Sequence, residues 1–380
     1  MASYSIILSI TTADEKGELI YTQIGDVREI ATGLTWTKCR TNYGVDEIDF
    51  TLNDRIFSEW CAKRNTTIND MLKPYALDCQ VLRDGEKLVG GYLATMPAYS
   101  PKGTSADLQM RFDGYMNLLN GVYIRPTTTT TKTANEMVSG WISDADSRAR
   151  AAGKGFGFWL KSATTLASIT RTFDNYKTVK EAISDLTDNI DGAGQFDVIF
   201  NADRTYVIDD DYGRDISSWQ LVYPTHLYGQ SVASISAQEI QGFASHVIAL
   251  GAGEVSSDSN KSTVVVSEMN DTSAVKEYGY CELMNQYSSV STQSVLDQKA
   301  NTDLANAENM QWQPQITLIG KQTPPSPTAD YGLWIGDRIW LENSVDLTGM
   351  TSGKFRVNKL SVSVSGSDAE IITPELERIA

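Results

Sequence analysis

Residues 81–96 read VLRDGEKLVGGYLATM. An Asp-Gly step, Asp84-Gly85, separates two apolar-rich runs, which is the strongest short-range hairpin signal a sequence carries. The second run holds adjacent glycines, Gly90 and Gly91, inside a strand pattern. Glycine within a strand marks a bulge or a sharp bend at a barrel corner. A small barrel needs such bends because its strands must coil to close. The stretch is therefore read as a kinked hairpin of a β-barrel, with Asp84, Gly85, Gly90 and Gly91 as its turning points.

The neighbouring sequence extends that reading over residues 1–125. SIILSI and ELIYTQI flank the turn ADEKG, and GLTWTKCRT and DEIDFTL alternate around NYG. ALDCQVLRD, EKLVGGYLATM and ADLQMRFDG supply three more strands. One helix is expected over RIFSEWCAKR, behind Asn53-Asp54. Short strands with turns at this spacing point to an antiparallel barrel or sandwich.

Pro126 and the threonine run 127–131 read as an extended connector. Beyond it, Thr133 and Glu136 form a capping box before Met137, Val138, Trp141 and Ile142. A second box, Thr178 with Glu181, opens a helix whose Val179, Ala182, Ile183, Leu186 and Ile190 fall on one face. FDVIF and TYVID follow as a hairpin through Asn201-Ala202-Asp203. Residues 126–220 are thus a mixed α+β domain.

From Leu221 the pattern is β again, with HVIAL running into a turn at Gly251 and Gly253. Residues 252–311 are polar and serine-rich, with a strand at STVVVSEM and a weak helix after Val290. Strands return in QWQPQITLIG, YGLWIGDRIWLE, KFRVNKLSVSVSG and AEIITP, with KQTPPSPTAD as a flexible loop. The excursion suggests an insertion: 221–251 with 312–380 form a second β-barrel, and 252–311 a peripheral insert. The expected class is β-rich α+β, two antiparallel barrels carrying inserted α+β domains.

The chain has 380 residues, 41% hydrophobic and 21% charged, which suits several globular domains. MASYSIILSI has no basic start and no long apolar run, so no signal peptide is expected. No stretch approaches the length of a membrane span. With 48 acidic and 32 basic residues the net charge is −16, which disfavours nucleic-acid binding. Cys39, Cys61, Cys79 and Cys281 form no C-x-x-C pair. Three of them lie in the first eighty residues, so one disulfide is conceivable, but reduced core thiols are the expectation.

Catalytic signatures are missing. His226 and His246 are the two histidines, and no zinc spacing or serine-hydrolase elbow occurs. Lys154 sits in GKGFGF, where the glycines follow a helix and so read as its stop. GAGEVSSDSNKS has Asn260 where a phosphate loop needs glycine. The acidic turn Asp209-Asp210-Asp211 lacks the ligand spacing of a calcium loop, leaving a solvated turn or an adventitious cation. Trp334 and Trp340 flank GDR and could be core residues, subunit contacts or a carbohydrate platform. No catalytic, cofactor or metal residue is assigned.

The order of these features resembles the baseplate-hub or tail-hub proteins of tailed bacteriophages, including siphophage tail-associated proteins. The hairpin of 81–96 is similar to the family's strand, Asp-Gly turn and glycine-bearing strand. RFDGYMNLLNGVYIRP, residues 111–126, matches a strand, an aspartate (Asp113), a short helix with paired leucines, then Arg and Pro closing the first domain. HVIALGAGE followed by SAVKEYGYCE resembles a third family passage. YGLWIGDRIWLE, with Gly336-Asp337, resembles the C-terminal hairpin. The resemblance implies a non-enzymatic homotrimer in which two barrel-like tube domains per subunit present six similar faces. Such a hub adapts a hexameric tail-tube or distal-tail ring to a trimeric spike or fibre. Its channel holds the tape-measure protein and later passes DNA without specific binding. The implied place is the virion tail tip, after assembly in the host cytoplasm and without membrane insertion. Many relatives continue into a peptidase or fibre segment. This sequence stops at Ala380, so wall degradation and receptor binding are expected of other proteins. A carbohydrate-binding attachment module and a wall hydrolase remain as alternatives.

Overall fold

In the computed structural model Asp84 and Gly85 form a two-residue turn with φ of 50° and 85°. Both central residues at positive φ match the twist of the strands they join. The structure describes residues 2–125, 127–173, 177–187, 196–223, 230–241, 243–253, 255–256, 261–262, 264–287, 290, 292–307, 311–330, 332–345 and 352–379. The chain forms two units, Met1–Ile235 with Gln315–Ala380, and Ser236–Pro314.

The first unit opens with β1 (Tyr4–Ala13), β2 (Leu19–Asp26), β3 (Ala31–Cys39) and β4 (Glu47–Asn53). Helices α1 (Asp54–Ala62) and α2 (Ile68–Met71) precede β5 (Leu77–Arg83), β6 (Glu86–Leu93), β7 (Ala98–Lys102) and β8 (Ser105–Gly114). A 3-10 turn, Tyr115–Gly121, ends the run. The order is β2-β1-β5-β6-β8-β4-β3, with β7 beside β8, and these pairs are antiparallel. Period-2 patterning explains the inner face: Ile48, Phe50 and Leu52 of β4 meet Leu108, Met110 and Phe112 of β8, all buried. Asn53 caps α1 by accepting a bond from the Ile56 amide at 3.3 Å.

Next come β9 (Thr127–Thr133), α3 (Ala134–Ala151), β10 (Trp159–Ala163), β11 (Ser168–Phe173), α4 (Val179–Thr187), β12 (Asp197–Phe200) and β13 (Thr205–Asp209). Both capping boxes form: the Thr133 and Thr178 backbones donate to Glu136 and Glu181, whose amides donate back to the threonine hydroxyls. Ile190 lies outside the described residues. The threonine run, read as a connector, is a strand paired with β11, because β-branched residues suit a ladder once a partner strand lies alongside. Met137, Val138 and Ile142 of α3 and Val179, Ala182, Ile183 and Leu186 of α4 share one core with Val198 and Ile208.

The chain continues through β14 (Asp215–Tyr223) and β15 (Gln230–Gln241). The second unit holds β16 (His246–Leu250), β17 (Val255–Ser256), β18 (Lys261–Ser262), β19 (Val266–Asn270), α5 (Thr272–Tyr278), β20 (Glu282–Gln286) and α6 (Gln293–Ala307). Here β16 is the middle strand of β19-β16-β20. The sequence grouped His246–Gly251 with the second barrel. Pairing puts it in this smaller sheet instead, where Val247 and Ala249 pack with Leu296, Ala300 and Leu304.

The end of the chain supplies β21 (Gln311–Ile319), β22 (Arg338–Asn343), β23 (Gly353–Val364) and β24 (Glu370–Arg378). β23 pairs with β24 over its length, with β22 near its start and with β3 near its end, joining both strand sets in one sheet. The expectation of purely antiparallel strands is corrected here, because β14 runs parallel to both β15 and β22. Parallel neighbours need a long crossover, and residues 224–337 provide one between β14 and β22.

Candidate functional site

The β12–β13 hairpin reaches both strand sets, and three charged contacts fix it there. Each begins from a charge embedded in an apolar strand: Asp78 in ALDCQVL, Lys38 in TWTKC, Asp197 in FDVIF. Arg204, in the hairpin turn at φ 63°, donates from Nη2 to both Asp78 oxygens at 2.9 Å. Tyr115 adds its hydroxyl to Asp78 at 3.1 Å, and the guanidinium lies 4.4 Å from the Tyr115 ring centre. Burial pulls the Arg204 pKa down, but the Asp78 carboxylate together with Tyr115 and Tyr21 raises it overall. Burial likewise pushes Asp78 up, against the pull of Arg204. The bidentate geometry decides for the ion pair, since such bonds hold both charges.

Just past β3, Arg40 donates Nε to Asp197 at 2.9 Å and, in the other strand set, Nη1 to Asn358 of β23 at 2.6 Å. Arg356 stands 3.6 Å from the same carboxylate. Lys38, 2% exposed, bonds Asp46 at 2.5 Å and the Phe200 carbonyl. Thr41 exchanges bonds with Val198 at 2.7 and 3.2 Å, and Gln80 reaches the Ala202 carbonyl at 2.7 Å. Breaking a buried pair costs about 3–5 kcal/mol, because one charge is left unpaired. The arrangement therefore does mechanical work: it holds the α+β segment at fixed geometry against β5 and β23.

The sequence-selected residues fall at several places. Asp84 bonds the Ser3 amide at 2.8 Å. Gly90 and Gly91 pair in regular register with Gln80 and Cys79, and the slip lies at Leu88. A Cβ at Gly90 would stand 2.6 Å from the Ala202 carbonyl, and one at Gly91 2.6 Å from that of Asp113. The glycines therefore admit close backbones rather than bend the strand. Asp113 accepts a bond from Asn117 at 3.3 Å. Gly251, at the end of β16, would press a Cβ 2.6 Å from the Val290 carbonyl, and Gly253 has φ 144°. Gly336, at φ 82°, interlocks with the turn of Tyr212-Gly213. Asp337, 1% exposed, accepts from the Arg214 amide and Nε at 2.9 and 3.1 Å, and from the Trp334 amide at 2.8 Å. Arg214 also donates to the carbonyls of Ala329, Ser326 and Gly332. Ser326 and Thr328 donate to Glu86, so the loop read as flexible is tied to the β5–β6 hairpin.

Trp334 and Trp340 do not form a shared platform: Trp334 is buried 6.2 Å from Trp36, while Trp340 is 36% exposed. His246 is half-buried beside Tyr280, and His226 lies outside the described residues. Asp209 accepts from Thr164, and Asp211 pairs with Arg338. Among the described residues, no cluster of three His, Cys, Asp or Glu side chains could hold a metal ion, and no helix is long and apolar enough to cross a membrane. Described Cys39, Cys61 and Cys79 are buried free thiols, and Cys281 is exposed.

No family model matches the chain, and no curated protein matches it. Solved structures do. A tail protein from Neisseria meningitidis MC58 is 14% identical, with 99% of this chain and 97% of that chain covered at a TM-score of 0.62. The 43 kDa tail protein of prophage MuSo2 from Shewanella oneidensis is 12% identical, with 99% and 98% covered at a TM-score of 0.64. The chain thus has a β-rich α+β fold similar to that of these two tail proteins.

Proposed function

We propose that this protein is a non-enzymatic structural component of a bacteriophage tail, acting as the hub at the tail tip. The observation that carries the reading is a fold similar from end to end to that of two tail proteins, one of them from a prophage. In this reading the strand sets β1–β8 and β14, β15 with β21–β24 act as two barrel-like tube domains, and a homotrimer presents six similar faces. The ring meets a tail-tube or distal-tail protein on one side and a spike or fibre on the other. The tape-measure protein fills its channel, and DNA crosses it without specific contacts.

Physical features support the assignment. β23 bonds strands of both sets, so neither set moves freely of the other. Charge on the buried hairpin locks the α+β segment to them. A net charge of −16 reduces adhesion of passing DNA. The glycan-binding alternative loses its basis with Trp334 in the core.

Electron microscopy of the assembled particle tests the proposal. A threefold ring of this chain at the tail tip is the expected result. A particle lacking the chain, or holding it elsewhere, overturns the hub reading.

A further inference from the structure

Two lysines near the start of α4 meet different partners. Lys177 Nζ lies 2.5 Å from the Asp185 carboxylate, an ion pair open to water. Lys180 Nζ instead donates to a side-chain amide, reaching Asn117 Oδ1 at 2.6 Å. The Asn117 Cγ lies one C=O bond further on, so it stands at most about 3.8 Å from that nitrogen. A small rotation brings such a pair to the separation from which a nucleophile attacks. Asn117 Nδ2 in turn donates to Asp113 Oδ2 at 3.3 Å. An amine, a carboxamide and a carboxylate thus follow one another in contact. The backbone holds them there. The Val179 amide donates to the Val122 carbonyl at 2.8 Å, and the Ile124 amide to the Lys177 carbonyl at 2.9 Å. The start of α4 is thereby laced to the residues just past the 3-10 turn that carries Asn117.

Gly114, Met116, Val198 and Phe200 line the same cleft as Asn117 and Lys180. Burial lowers the Lys180 pKa, with the Asp113 charge pulling the other way. Desolvation of this kind frees an amine to act as a nucleophile. We propose that Lys180 and Asn117 join in an intramolecular amide crosslink, with Asp113 carrying the proton. The unprotonated Lys180 Nζ attacks Asn117 Cγ, and an N–C bond forms. One Nζ proton passes through the Asp113 carboxylate to Asn117 Nδ2. The Cγ–Nδ2 bond breaks, ammonia leaves, and Nζ keeps its other hydrogen. The exchange of one amide for another needs no oxidant, reductant or cofactor. The new bond spans 63 residues of chain and ties the end of the first strand set to the α+β segment. A covalent tie over such a span restricts the unfolded chain. The proposal is independent of the tail reading, since all three groups belong to this chain.

Intact mass spectrometry of the purified full chain tests the crosslink. The expected mass is about 17 Da below that of the sequence, the loss of one ammonia. Trypsin should then release a branched peptide joining residues 112–125 to 178–204, because an acylated Lys180 is no longer cut. That peptide separates the crosslink from ring closure at an asparagine, which loses the same mass. Lys180→Arg and Asp113→Asn, their folds checked by thermal melting, should each restore the full mass. A wild-type chain at full mass overturns the proposal. So does a deficit that persists in Lys180→Arg, or a digest without the branched peptide. A crosslink that forms fully in Asp113→Asn overturns the role given to Asp113.

Discussion

In the first unit the β12–β13 hairpin meets its neighbours through charge: the pairs Asp78–Arg204 and Arg40–Asp197, and the enclosed Lys38 ammonium donating to the Phe200 carbonyl. In the second unit the β19-β16-β20 sheet meets α6 through Val247, Ala249, Leu296, Ala300 and Leu304. Among the described residues its closest approach of a carboxylate to a basic side chain is an exposed Glu268 at 3.9 Å from His246. The contrast separates two tasks. A small apolar core gives stability with modest geometric demand, because apolar contacts are not directional. Buried ion pairs add little net stability, yet they hold only one geometry well.

The largest break in this comparison is Arg204→Met. It leaves Asp78 buried without its partner and should cost about 4 kcal/mol of first-unit stability in denaturant unfolding. The pair Arg204→Met/Asp78→Leu should recover most of that loss. A double variant as unstable as the single one would contradict the account. In the second unit Leu296→Ala should cost about 3 kcal/mol through its cavity. That loss should lower the transition reported by hydrogen exchange of β16 while leaving exchange of β5 unchanged.

A smaller effect is expected at Gly90. Alanine there meets the Ala202 carbonyl and should cost about 2 kcal/mol, against less than about 0.5 for Gly121→Ala, where a Cβ has open space. Paired melting curves check the difference. The smallest effect is chemical. At pH 8 Cys281 should react readily with an alkylating agent while the three buried thiols stay intact. Burial raises Cys39 from its ordinary 9.0 to about 12 and Cys61 to about 11. The unfolded chain therefore loses these protons first. The stability linked to them is complete below pH 9 and should fall as pH rises toward 12, readable as a declining melting temperature.

Much of the architecture was legible locally. The Asp84-Gly85 turn, both capping boxes and the Phe196–Asp209 hairpin each depend on a few adjacent residues, so their signals survive in the sequence. Asp78 and Asp197 also left a trace, as single charges inside apolar strands. Their partners Arg204 and Arg40 left none, being 126 and 157 residues away along the chain.

The sequence alone determined where most strands and both boxed helices form, because alternation, turn residues and caps act within a few residues. Only tertiary structure decided that β14 runs parallel to β22, that β16 belongs to the second unit, and that Trp334 is core rather than surface. It also decided why residues 90 and 91 are glycine. The sequence marked that pair as unusual, but the cause is the carbonyls of Ala202 and Asp113, brought close by the fold. Which backbones crowd a strand depends on distant segments, and local patterning carries no record of them.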